Sequence, residues 1–218
     1  MKPVVESDGL QVAVKERKLL SDVCLKCERG EIIGLLGRNG QGKSCLMNII
    51  YGSLACEKSV RFDQVSIKEP YKKPTLIRYL PQFHYLPNSS CLQRVFKDFE
   101  LEYDFFIQVF PEFKGKQKVA IGRLSGGQKR LVEIYVIMKS RSLFVMLDEP
   151  FTMLNPLQIE KVKSLLIEEK SSKGILVTDH LYRHILDLSD SIYILSNGRT
   201  HLTKNSIDLE RMGYVNIS

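Results

Sequence analysis

The sequence predicts an α/β fold. A mainly parallel central sheet carries helices on both faces, with an antiparallel β-subdomain at the N-terminus and a small helical subdomain set into the core. Three observations carry that prediction. Residues 37–44 read Gly-Arg-Asn-Gly-Gln-Gly-Lys-Ser, which fits the phosphate-loop pattern G-x-x-x-x-G-K-[ST]. Downstream, continuous apolar runs of strand length alternate with amphipathic helical stretches, the texture of a buried parallel sheet. Upstream, residues 10–36 alternate apolar and polar positions between the turn signals Asp8-Gly9 and Arg29-Gly30, which predicts two or three strands.

The elements follow in order. Residues 31–36 form a short buried strand leading into the phosphate loop, and residues 45–54 form the helix after it. Residues 60–67 alternate again around a turn near Asp63. Residues 76–80 read as a strand ended by Pro81. The texture then changes: more than half of the phenylalanines and tyrosines crowd between Tyr79 and Phe113, and Phe99, Tyr103, Phe106 and Phe110 recur at helical spacing. This marks a helical subdomain at about 87–139, whose last helix, residues 124–139, begins at a glycine-rich turn. Its rings suit a partner interface and a subdomain core equally. Residues 143–147 are a central strand, 157–170 an amphipathic helix, 175–178 another buried strand and 181–188 a helix. Residues 191–195 and 200–202 close the chain as a hairpin around Asn197-Gly198.

At 218 residues the chain fits one domain, residues 1–218, large enough for a core without staples. Five cysteines at irregular spacing argue against a disulfide framework. Cys24-x-x-Cys27 has no second pair and reads as thiols on a strand rather than a zinc site. No run of 18 apolar residues exists to span a membrane, and the N-terminus lacks the apolar core of a signal peptide, so a cytoplasmic location is expected. The net charge of +7 permits contact with nucleic acid or an anionic membrane surface without requiring either; Lys114, Lys116, Lys118 and Arg123 read as a solvated face.

The chemistry lies in the loops. Gly37, Gly40 and Gly42 allow a tight turn with inward N–H groups, and the following helix adds its positive end, so an anion is held there. Lys43 reaches the β- and γ-phosphates as a mobile charge, and Ser44 offers a hydroxyl to Mg²⁺. The apolar strand ends in Asp148-Glu149-Pro150, beside the phosphate-loop strand on this reading. Asp148 is placed to hold the metal, and Glu149, one residue on and facing elsewhere, to act on water as a base. Residues 124–128, Leu-Ser-Gly-Gly-Gln, put a hydroxyl and free N–H groups at a helix start, a second anion site in one chain.

That pentapeptide, expected by chance in roughly one in several thousand chains of this size, carries a resemblance. The sequence resembles the ATP-binding cassette (ABC) ATPases, the P-loop NTPases that serve as nucleotide-binding subunits of ABC transporters. The likeness spans about residues 19–198 and includes the motif order: phosphate loop, glutamine loop, signature, acidic strand, histidine switch. It implies that Gly37, Arg38, Asn39, Gly40, Gln41, Gly42, Lys43, Ser44 and Cys45 hold ATP. It also implies that Ser125, Gly126, Gly127 and Gln128 close over the ATP of a second cassette arranged head-to-tail. Gln82 stands where the family has its metal- and water-sensing glutamine, and His180 where it has the switch histidine that meets the γ-phosphate and orients Glu149. Catalysis is thus expected of Glu149, His180 and Gln82, and Mg²⁺ binding of Ser44, Gln82 and Asp148. The implied partners are a second ABC ATPase chain, the same or a homologue, and a transmembrane permease that brings the subunit to the inner face of the membrane. Nucleic acid is not the expected partner, because family members acting on it carry long insertions or paired cassettes.

Three departures stand out, one of them that only about 42 positions separate Gln82 from Leu124, a short helical subdomain. No aromatic residue precedes Tyr51 to stack on adenine, a place left to Val12–Val14, and the loop after the acidic strand reads Met153-Leu154-Asn155-Pro156 where the family has an aspartate at position 155. These argue for one alternative, a nucleotide-binding module that hydrolyses poorly; a soluble regulatory or assembly ATPase of the same family without a membrane partner is the other.

Overall fold

The structure is a computed structural model that describes residues 9–17, 20–55 and 58–203, with side chains described from Leu20 onward except at 56–59. Strands β1 (Gly9–Arg17), β2 (Leu20–Glu28) and β3 (Ile32–Leu36) lead through the phosphate loop into helix α1 (Lys43–Tyr51). Strands β4 (Lys58–Phe62), β5 (Val65–Ser66) and β6 (Ile77–Leu80) follow. Next come helices α2 (Leu92–Asp98), α3 (Tyr103–Val109) and α4 (Gly126–Lys139). The chain then alternates: β7 (Phe144–Asp148), α5 (Pro156–Lys170), β8 (Gly174–Thr178), α6 (Tyr182–Leu188), β9 (Ser191–Ser196), β10 (Arg199–Thr203).

The described strands join one sheet in the order β5-β4-β1-β2-β10-β9-β3-β8-β7-β6. From β9 to β6 the pairing is parallel, and β1, β2, β4 and β5 pair antiparallel. The parallel strands β3, β7 and β8 are buried at every position, as continuous apolar runs require when both faces are covered. Alternate residues feed two cores. Ile33, Leu35, Met146 and Leu176 pack with α1, whereas Ile32, Leu36, Val145, Leu147, Ile175 and Val177 pack with α4, α5 and α6. Gly34 allows α6 its close approach: a Cβ there would lie 2.6 Å from Ile185 and 2.7 Å from the Ser189 hydroxyl.

Three expectations are revised. β8 separates β7 from β3, so the acidic strand is not beside the phosphate-loop strand. Sequence order cannot place a strand laterally; here the crossover through α5 sets β8 between them. The aromatic spacing across 99–110 spans two helices rather than one, because Glu100 takes a left-handed conformation (φ 56°) after Phe99 caps α2. The rings then divide unequally. Phe96, Phe106, Phe110 and Phe113 are fully buried, with Phe106 4.7–5.3 Å from Phe96, Phe110, Phe113 and Tyr135, while Phe83 and Phe105 are exposed. Such ring pairs add about 0.5–1.5 kcal/mol each beyond burial, and core packing accounts for most of the aromatic density.

Cys24 is exposed and Cys27 buried, on opposite faces of β2, which removes their pairing as a metal site. Lys114, Lys118 and Arg123 are solvent-facing. Among the described residues no helix is long and apolar enough to cross a membrane.

Candidate functional site

The phosphate loop turns between β3 and α1 on two left-handed glycines, Gly40 (φ 80°) and Gly42 (φ 100°), the latter capping α1. It forms one wall of an open pocket of about 600 Å³. Asn39, Gly40, Gly42, Lys43, Ser44 and Cys45 line that wall, and Gln82, Glu149 and His180 line the other. Lys43 is largely buried, and its ammonium donates to the Gly37 carbonyl and, at 3.5 Å, to that of Arg38. Burial holds its pKa below the ordinary lysine value, while the carboxylates of Glu149, Asp148 and Asp179 oppose the shift. Gln41 turns away from the pocket and accepts from the Asn197 N–H at 3.0 Å, tying the loop to the terminal hairpin.

Asp148 ends β7 at 1% exposure. Burial raises its pKa, and the neighbouring hydroxyls of Ser44 and Tyr79 counter the rise. Tyr79 reaches its Oδ2 at 3.1 Å, and Oδ1 is buried without a partner. An unsatisfied carboxylate oxygen beside a serine hydroxyl is a hard-oxygen donor set that suits Mg²⁺. Among the described residues no cluster of three or more His, Cys, Asp or Glu could hold a metal alone.

Glu149 sits in the left-handed region (φ 50°), which costs a non-glycine residue about 1–2 kcal/mol. Three contacts hold it. Its N–H donates to the Thr178 carbonyl at 2.8 Å, its carbonyl accepts from Arg130 at 3.0 Å, and its Oε2 accepts from Gln82 Nε2 at 2.9 Å. The His180 Nδ1 lies 3.7 Å from Glu149 Oε2 and 3.4 Å from Asp179 Oδ1. Gln82, Glu149 and His180, which are 98 positions apart at the extremes, therefore converge on one rim.

Ser125 caps α4 in a reciprocal capping box with Gln128, at 3.2 Å and 3.1 Å. Neither residue, nor Gly126 or Gly127, lines the pocket. The loop after β7 packs onto these glycines instead: a Cβ on Gly127 would stand 2.5 Å from the Met153 carbonyl, and one on Gly126 2.6 Å from the Met153 sulfur. Asn155 caps α5 in a second capping box, with Gln158, so the missing aspartate charge leaves the cap intact. Val12–Val14 lie in β1, whose side chains are outside those described.

Sequence reasoning missed four residues. Arg130, 2% exposed, donates to the carbonyls of Pro81, Asp148 and Glu149 and so ties the signature helix to both opposing loops. Glu133, one turn on, is fully buried and accepts from the Tyr85 N–H at 3.0 Å, with His84 Nδ1 2.9 Å away. Asp179 is buried and accepts from the N–H groups of Phe151 and Leu181 at 3.0 Å and 2.9 Å. Tyr79 is the fourth. The available signal was charge at helical spacing inside the otherwise apolar α4, and an acid inside the run leading to His180.

The ABC transporter family matches residues 20–152. A probable ABC transporter ATP-binding protein of Azorhizobium caulinodans is 33% identical over 207 residues, covering 87% of this chain and 73% of that protein. The lipopolysaccharide export system ATP-binding protein LptB of Escherichia coli K12 is 30% identical over 212 residues, covering 87% and 86%. Among solved structures, an ATP-binding subunit of an ABC transporter superposes with a TM-score of 0.78 over 94% of this chain and 93% of its own, at 23% identity, which is a likeness of fold.

Proposed function

Because the chain belongs to the ABC transporter family as one of its ATP-binding ATPases, we propose that it hydrolyses ATP with Mg²⁺ in a head-to-tail pair of cassettes and thereby drives a transmembrane permease. One observation supports this best: Gln82, Glu149 and His180 meet across the pocket from Lys43 and Ser44, whereas the signature of the same chain lies outside that pocket. A site so divided needs a second chain, the same or a homologue, to bring its own Ser125, Gly126, Gly127 and Gln128 over the bound ATP.

Each residue then has a role. The loop from Gly37 to Cys45, with Arg38, Asn39, Gly40, Gln41 and Gly42, wraps the phosphates by backbone N–H groups, and Lys43 swings from the Gly37 carbonyl to the β- and γ-phosphates. Ser44, Asp148 and Gln82 would hold Mg²⁺, which when bound would supply positive charge against the phosphates. Glu149 takes the proton of the attacking water, with its carboxylate turned by Gln82 at 2.9 Å. His180, half exposed at the rim, holds the γ-phosphate and keeps Glu149 oriented. The whole chain, residues 1–218, acts as a single ABC ATPase domain with the segment at about 87–139 as its signature subdomain. It works at the cytoplasmic face of the membrane through the permease.

The test is steady-state ATP turnover against protein concentration, for the wild type and Glu149→Gln. Turnover per chain that rises with concentration, and is lost in a variant that still binds ATP as a stable dimer, is the expected result. Full turnover in Glu149→Gln, or a rate per chain independent of dilution, refutes the scheme.

A further inference from the structure

At the end of β7 the metal-side carboxylate meets a phenol from β6. The Tyr79 hydroxyl donates its single proton to Asp148 Oδ2 at 3.1 Å. The Tyr79 ring is itself fixed, in β6 next to β7 and 5.4 Å from the ring of Tyr51. The contact has one direction, phenol to carboxylate, and it leaves Oδ1 as the unengaged oxygen of the carboxylate.

We propose that Tyr79 is a positioning residue for the metal carboxylate: it pins Asp148 Oδ2 so that Oδ1 is the oxygen presented to the Mg²⁺ that accompanies the nucleotide. The inference rests on the reading of Asp148 and Ser44 as the metal side of the ATP site. A carboxylate ending a buried strand has two rotational choices about its last bond, and a single neutral donor on one oxygen removes one of them. The Asp148 backbone is held independently, by Arg130 at its carbonyl and by the ladder to β8. Loss of the phenol oxygen therefore frees the carboxylate and leaves the strand in place.

Tyr79→Phe removes that one oxygen and keeps the ring. The measurement is Mn²⁺ binding, followed by electron paramagnetic resonance, to the full chain in the presence of a non-hydrolysable ATP analogue. It is paired with the affinity for a fluorescent ATP analogue in EDTA and with the melting temperature. Outer-shell partners of metal ligands are worth about 10- to 100-fold in metal affinity. The expected result is Mn²⁺ affinity weakened by about that factor in Tyr79→Phe, with metal-free nucleotide affinity unchanged. Equal Mn²⁺ affinity in wild type and Tyr79→Phe overturns the proposal. So does a parallel loss of metal-free affinity and melting temperature, which a purely structural tyrosine would give. If the wild type binds the analogue without any Mn²⁺ dependence, the metal reading of Asp148 and Ser44 fails first, and the role of Tyr79 with it.

Discussion

Arg130→Met tests the junction on which the site depends. The substitution keeps an unbranched apolar stem of similar reach and removes the guanidinium. In the native protein that guanidinium gives Nη1 to the Pro81 carbonyl at 2.7 Å and Nη2 to the carbonyls of Asp148 and Glu149, all in a nearly dry interior. Each buried acceptor left without a donor costs about 1–3 kcal/mol. Against this stands relief of the buried charge: burial lowers the Arg130 pKa, with the Glu133 charge opposing, and its Nε has no partner. Replacing a buried ion pair by apolar groups is often harmless when both partners go, but the partners here are mainly backbone carbonyls that no substitution removes. The net loss is therefore about 3–5 kcal/mol, or a fall in melting temperature of about 6–20 °C at 2–4 °C per kcal/mol for a chain of this size. ATP turnover is expected to fall further than the folded fraction at 25 °C, because Glu149 loses one of the contacts that hold its left-handed backbone. Arg130→Lys should recover little, since a point charge cannot bridge three carbonyls as a planar fork does. Thermal denaturation by circular dichroism and turnover at matched folded fraction are the assays. A fall of less than about 3 °C in Arg130→Met, or turnover that tracks folding alone, would refute the reasoning.

Two further outcomes follow from the geometry. In Gly127→Ala the new Cβ would meet the Met153 carbonyl at 2.5 Å, so the loop after β7 must move; turnover should drop by about 10- to 100-fold with nucleotide affinity kept, and turnover within twofold of wild type in a colorimetric phosphate assay would contradict this. Lys43 is shifted down and Asp148 up, both chiefly by burial, and the proposed roles need both ionised. Mg²⁺–nucleotide affinity should therefore fall as pH rises through the lowered lysine pKa and as pH falls through the raised carboxylate pKa, giving a window narrower at both ends than free side chains would; affinity flat from about pH 4 to 10 in a fluorescence titration would exclude it.

The phosphate loop, the buried strand before it and the signature pentapeptide were legible in the sequence because each is local. Gly40 and Gly42 need only their own φ angles, and Ser125 needs only Gln128 three residues on. The α/β alternation was legible for the same reason: a strand buried on both faces must be apolar throughout, and β3, β7 and β8 are. What stayed hidden is lateral or long-range. The insertion of β8 between β3 and β7 depends on which strand a crossover reaches, and no residue in β7 encodes it. The break at Glu100 was masked by aromatic spacing that continues across it, because the rings gather around Phe106 from two helices. Arg130 and Glu133 read as ordinary charges on an amphipathic helix until packing buries them against Pro81, Tyr85 and the end of β7. The sequence by itself determined which side chains could hold a phosphate, a metal and a water. Only the tertiary structure decided which of them share one pocket, because that depends on where strand ends separated by many residues come to lie in one sheet.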